Sequence, residues 1–293
     1  MQRKAALDGV GLAALLAVQA LLAFNQIVVK LVNAGLQPVF FAGLRSCLAV
    51  FFVWAWLAWR GRPPRLHRAT VPMGLLIGAV FAGEFLSLFM ALDLTSVGRA
   101  SVLFYSMPLW FAVMAHFGLP GERITPLRGL GLVLAFAGTA VAILGRGAGS
   151  AGSLAGDVFG LLAAFGWAGT AFLARRPVMA KEGPEMQLFW MVLVSGPILL
   201  AVAPLFGPLI RDFQPVHIAG LLFQAGVVVA GGFIAWLWLL SVYPAALVAS
   251  FSFLTPILAI GLDWLIFGTR PAPGLIVAAA LVGAGITLIN RRA

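Results

Sequence analysis

Few side chains in this chain can do chemistry, and they are scattered. Of 293 residues, 19 are Lys or Arg, 9 are Asp or Glu, 3 are His and 1 is Cys. His67, His116 and His217 are too far apart in sequence to make a metal-binding set. Cys47 has no second cysteine to pair with. No Gly-x-Ser-x-Gly elbow and no Walker sequence occurs. The sequence therefore speaks against a nucleophile–base enzyme and a nucleotide-driven pump, and no metal or cofactor is expected.

What stands out instead is a set of single polar residues inside long apolar runs. In hydrocarbon each such group is costly and calls for a partner, a wet cavity or a function. Glu84 reads as a proton site or a partner for a substrate ammonium, or as a structural hydrogen bond or ion pair with Arg45. Arg45 lies too deep in its run to snorkel easily. It can grip a carboxylate with both arms or tie helices together through backbone carbonyls. Lys30 is nearer a run's end, where snorkelling is the ordinary behaviour. Asp263 is placed to pair with Lys30 or Arg270 as an outer gate.

Neutral groups form a second set. Asn25 and Gln26 sit mid-run, with Gln19 two turns earlier, and amides either bind zwitterions without charge cost or glue helices. Thr170 occupies the place in the second half that Asn25 has in the first, with Trp167 one turn before it. Tyr105, Ser106, Ser250, Ser252 and Thr255 are further cavity candidates, as is Trp236 or its neighbour Trp238. Pro108 and Pro256 each remove a backbone hydrogen bond and free a carbonyl one turn back, as gating helices require. Gly231 and Gly232 mark another bend or close-packing point.

The elements that must position these residues follow from composition. Apolar residues make up 62% and charged residues 10%, against roughly 25% charged in soluble domains. That excludes a soluble enzyme, a nucleic-acid-binding module and a disordered chain. The segments are apolar all round, which argues against the alternating strands of a barrel. Ten runs are read as membrane helices, roughly 8–33, 36–59, 70–92, 96–118, 124–145, 155–174, 185–207, 215–241, 245–267 and 272–290. The stretch 145–156, rich in Gly, Ala and Ser, reads as a flexible linker. Trp54, Trp56 and Trp59 read as an interfacial belt. Counting cations orients the chain. Arg99, Arg146, Arg211 and Arg270 fall on one side, Lys30 and Arg45 within helices, and the other 13 of the 19 on the opposite side. By the positive-inside rule both termini are expected in the cytoplasm.

The chain also repeats itself. Leu119–Pro126 matches Ile266–Pro273, and in the same register Gly138 falls on Gly285. One residue off that register, Ser106-Met107-Pro108 meets Leu254-Thr255-Pro256. Residues 1–147 and 148–293 thus read as two five-helix units. Five is odd, so the second unit enters the membrane inverted, the symmetry that lets a central site open to either side. The charges are not repeated: Trp190 stands opposite Arg45 and Gly232 opposite Glu84.

These residues resemble the drug/metabolite transporter superfamily, in its ten-helix EamA type. The likeness rests on Asn25–Lys30, Leu44-Arg45-Ser46, and Pro108 followed by Gly121-Glu122-Arg123-Ile124-Thr125-Pro126. In the second half Thr269 replaces the motif's Glu. The resemblance implies an all-α integral membrane fold, two inverted repeats around a central cavity. Helices 1, 3, 4, 6, 8 and 9 would line that cavity and helices 5 and 10 pack behind it. Within the superfamily the chain is similar to the YddG-type exporters of aromatic and other neutral amino acids. The expectation is a monomeric secondary transporter in a bacterial inner membrane, partnered by lipid and a small-molecule substrate and not by nucleic acid. It would export neutral or aromatic amino acids by alternating access, without obligatory coupling. Alternatives are another metabolite, a nucleobase or a drug, with proton coupling through Glu84. An intramembrane enzyme or sensor is the remaining rival.

Overall fold

The computed structural model describes residues 8–119, 124–144, 152–242, 251 and 254–290. Ser250, Ser252 and Gly121–Arg123 lie outside the described residues. The described chain is helical almost throughout, with only isolated bridges between extended residues. Helices α1 (Gly9–Asn33), α2 (Pro38–Trp59) and α3 (Val71–Leu94) come first. The fourth run is broken into α4 (Val97–Phe104) and α5 (Met107–Gly118), and α6 (Pro126–Leu144) closes the first half. The second half contains α7 (Leu154–Ala174), the short α8 (Pro177–Ala180) and α9 (Pro184–Val202). Then follow α10 (Pro215–Leu222), a π-helical stretch Phe223–Gly232, α11 (Phe233–Val242), α12 (Leu254–Phe267) and α13 (Pro273–Asn290). Among the described residues seven helical runs, with Val97–Gly118, Pro184–Phe206 and Pro215–Gly232 each taken as one, are long and apolar enough to cross a membrane, and three shorter apolar helices accompany them.

Local chemistry explains the ends. Asp8 caps α1 through the Gly11 N–H at 2.9 Å, and Gln37 caps α2 through the Phe40 N–H at 2.6 Å. Proline occupies the first turn of α2, α3, α5, α9 and α10, where its missing N–H costs nothing. The break between α4 and α5 falls just before Pro108, where a kink is expected from sequence. The π-helical stretch ends on Gly231-Gly232, the pair read from sequence as a bend or close-packing point. Pro256 is the third residue of α12. One expectation needs correcting: the linker is not free throughout. Gly152 bridges to Thr95, the Ser153 N–H donates to the Leu94 carbonyl at 2.8 Å, and α7 has begun by Leu154.

The main core gathers side chains from α1, α2, α3, α4, α7 and α9. Helices α6 and α13 pack on one another at the edge of the bundle, and the glycines of the repeat motif make that contact. A methyl on Gly285 would meet the Gly131 carbonyl and Ala135, and one on Gly138 would meet the Ala278 carbonyl. Small residues let two backbones approach where apolar burial gives no preference over lipid. Gly285→Leu is expected to destabilise the protein by at least ~1–3 kcal/mol, the usual cost of overpacking. Gly83→Leu, where nothing stands within 4 Å, serves as the control. Thermal unfolding in detergent checks this; equal transitions for the two variants would contradict it.

Candidate substrate-binding site

Helix α1 carries the organising pattern. Gln19, Gln26 and Asn33 recur every seven residues, so they share one face, and each is at most 2% exposed. Each reaches a different helix. Gln19 accepts from Thr255 Oγ1 of α12 at 2.5 Å, and Gln26 accepts from Ser101 Oγ of α4 at 2.5 Å. Asn33 Nδ2 donates to the Phe89 carbonyl of α3 at 3.1 Å. Asn25, one residue over, takes the Gln224 amide from the π-helical stretch on its side-chain and backbone oxygens. Tyr105 reaches Thr255 with its hydroxyl. On α3, Glu84 accepts from Thr170 Oγ1 of α7 at 3.0 Å. These bonds engage α1, α3, α4, α7, the π-helical stretch and α12. They correspond to helices 1, 3, 4, 6, 8 and 9 of the resemblance.

Other expected residues have different surroundings. Trp167 is half-buried against the main core. Ser106 is buried, donating to the Leu103 carbonyl at 2.6 Å and accepting from Trp110 Nε1 at 3.3 Å, so it braces the break. Trp236 packs with Trp238 against Leu15 and Val18 of α1. Trp54 and Trp59 are exposed, as a belt requires. Arg45 is 2% exposed, and its guanidinium lies 3.8 Å from the Phe85 ring centre. Glu84 faces it electrostatically, yet the two make no ion-pair contact. Of the alternatives for Glu84, the direct ion pair with Arg45 is not formed: Arg45 stacks on Phe85 and Glu84 takes the Thr170 hydroxyl.

One end of the bundle is tied together by polar contacts. Lys30 does not reach for water: Nζ donates to the Thr95 carbonyl at 2.7 Å and to the Leu92 carbonyl at 3.3 Å. A cation suits those carbonyls at the C-terminus of α3. Asp263 accepts the Gly98 N–H at 3.1 Å, an anion at the start of α4, with Lys30 nearby. Arg211 grips Asp93 with two bonds of 2.8 and 3.0 Å and also donates to the Asn33 carbonyl. Leu36 bridges to Ile210 beside it. Opening this end must break these contacts. Arg211→Ala is expected to raise labelling of Leu36→Cys, in a Cys47→Ser background in detergent, by about fivefold, the effect of ~1 kcal/mol. An unchanged labelling rate would show that these contacts do not hold this end closed.

Sequence reasoning passed over two partners. Gln224 was hidden in an apolar run, where only pairing across helices reveals it. Arg99 and Asp157 form a buried ion pair at 2.5 Å, and Arg99 also donates to the Ala142 carbonyl at 2.6 Å. Thr95 donates to the same carboxylate at 3.2 Å. The cation count takes Arg99 only as one of four charges on its side of the membrane; the structure buries it against Asp157.

Helices of membrane-spanning length, joined by buried polar pairs, define a multi-pass membrane protein. The chain belongs to the EamA-like transporter family: the family profile matches twice, at residues 9–144 and 154–291. The chain is 27% identical to the uncharacterized transporter YvbV of Bacillus subtilis, across 87% of this chain and 83% of that one. It is 26% identical to a probable amino-acid metabolite efflux pump of Escherichia coli, across 89% of this chain and 88% of that one. One solved crystal structure, 22% identical, shares the fold with a TM-score of 0.65 over 94% of this chain and 96% of that one. The protein is thus a transporter of the drug/metabolite superfamily.

Proposed function

We propose that the protein exports neutral and aromatic amino acids by alternating access, down the substrate's own gradient. The observation that carries this reading is the set of amide, hydroxyl and carboxylate groups that α1, α3, α4, α7, the π-helical stretch and α12 bring together. Such groups suit a zwitterion, and Phe85, Trp110 and Trp167, half-buried against the main core, suit an apolar side chain. The efflux pump of Escherichia coli gives the reading further support. Residues 1–147 and 148–293 act as the two inverted halves, and close contact between α6 and α13, the last helices of each, fits that symmetry. The cation bias supports an orientation with both termini in the cytoplasm and the tied end in the periplasm of a bacterial inner membrane. One chain holds both halves, so a monomer suffices.

Everted membrane vesicles test export. Vesicles carrying the protein are expected to take up labelled phenylalanine faster than control vesicles, with or without an uncoupler. Uptake equal to the control for every neutral amino acid would overturn the substrate assignment. Uptake abolished by the uncoupler would establish proton coupling instead.

A further inference from the structure

We propose that Arg45 is the anchor for the substrate's carboxylate, with Glu84 receiving the ammonium; this deepens the amino-acid reading above and rests on it. The guanidinium is buried, and it donates no hydrogen bond to any described residue; Nε and Nη2 are sealed in without an acceptor. Buried donors of this kind are nearly always satisfied, and a charged one left bare is the costliest case. Its face is occupied: the Phe85 ring centre lies 3.8 Å and the Phe89 ring centre 5.1 Å from Cζ. Aromatic rings hold the flat side of a guanidinium and leave its rim of N–H groups free. A carboxylate fits that rim with two parallel bonds, whereas a hydroxyl or a single carbonyl does not.

The second half of the site follows from α3. Glu84 precedes Phe85 in sequence, and its carboxylate is the charge that acts on Arg45. Thr170 holds Oε2. Arg45 and Glu84 are close enough to feel each other and too far apart to pair directly. The donors are closed off in this state, so the helices must part to admit a zwitterion, which, set between Arg45 and Glu84, satisfies both charges and leaves the site neutral. The arrangement predicts a strict demand for a free carboxylate, which amide-only recognition would not impose.

The test is competition against labelled phenylalanine exchange in proteoliposomes holding the full chain. In the wild type, unlabelled phenylalanine is expected to inhibit at least about 30-fold more strongly than phenylalanine methyl ester or phenethylamine, in which the carboxylate is masked or missing; a lost charged hydrogen bond of ~1.5–3 kcal/mol gives this scale. R45K keeps the charge and loses the fork, so KM is expected to rise about tenfold and the preference over the ester to fall below about threefold. Exchange in R45K with wild-type KM and preference would overturn the assignment. If R45K does not fold, the wild-type series decides: equal inhibition by the ester overturns the assignment alone. Absence of exchange with any amino acid overturns the amino-acid reading itself.

Discussion

Asp157→Asn is expected to cost the protein about 3–5 kcal/mol, the usual penalty for stripping one partner from a buried ion pair. Arg99 and Asp157 are 5% and 0% exposed, so neither charge has water to fall back on. The pair does more than neutralise itself. Asp157 lies in the first turn of α7, where an anion is favoured, and Arg99 donates to the last turn of α6, where a cation is favoured. Thr95, at the end of α3, completes the cluster. Four helix ends, those of α3, α4 and α6 in the first profile match and that of α7 in the second, therefore meet at one ion pair. Loss of the thermal transition in detergent, or a markedly lower one, is the expected result. The double variant Arg99→Met with Asp157→Leu should recover part of the loss, since an apolar pair leaves no buried charge. A single variant with wild-type stability would show that the cluster is ornamental.

Glu84→Gln should act on transport and leave the fold standing. Gln keeps an oxygen for Thr170 and loses the negative charge. On the zwitterion reading, KM for phenylalanine rises about 10–100-fold, the scale of one charged hydrogen bond. The pH profile gives an independent reading. Protonation of Glu84 removes the anion that holds the ammonium, so wild-type exchange should fall as pH drops through the range in which this group titrates. The variant resembles the protonated state at every pH and should be flat and weak. An unchanged KM, with a pH profile like the wild type's, would remove Glu84 from the site.

The sequence carried the helices well because burial in lipid leaves a long apolar run that neither turns nor loops can imitate. The starts of α1, α7 and α9 fall within a residue of the expected positions. The break at Pro108 was legible in the covalent constraint of proline itself. The π-helical stretch was visible only as a glycine pair, since its extra residue per turn leaves no compositional mark. Site partners were harder. Gln19 and Gln26 could be singled out as amides in lipid, yet their mates Ser101 and Thr255 are ordinary in a membrane helix. Pairing depends on how helices rotate against each other, and composition does not fix that rotation. The seven-residue spacing that includes Asn33 was the unused signal. Arg99 misled for a related reason: a cation close to a helix start looks the same whether it faces water or a buried aspartate.

Counterflow tests the central claim most directly. Purified protein in proteoliposomes is loaded with one unlabelled amino acid at a time, and entry of labelled phenylalanine is followed with no ion gradient imposed. The account predicts a transient accumulation of label when neutral or aromatic amino acids are inside, and none with empty vesicles. Label entering at the empty-vesicle rate, whatever amino acid is loaded, would contradict it.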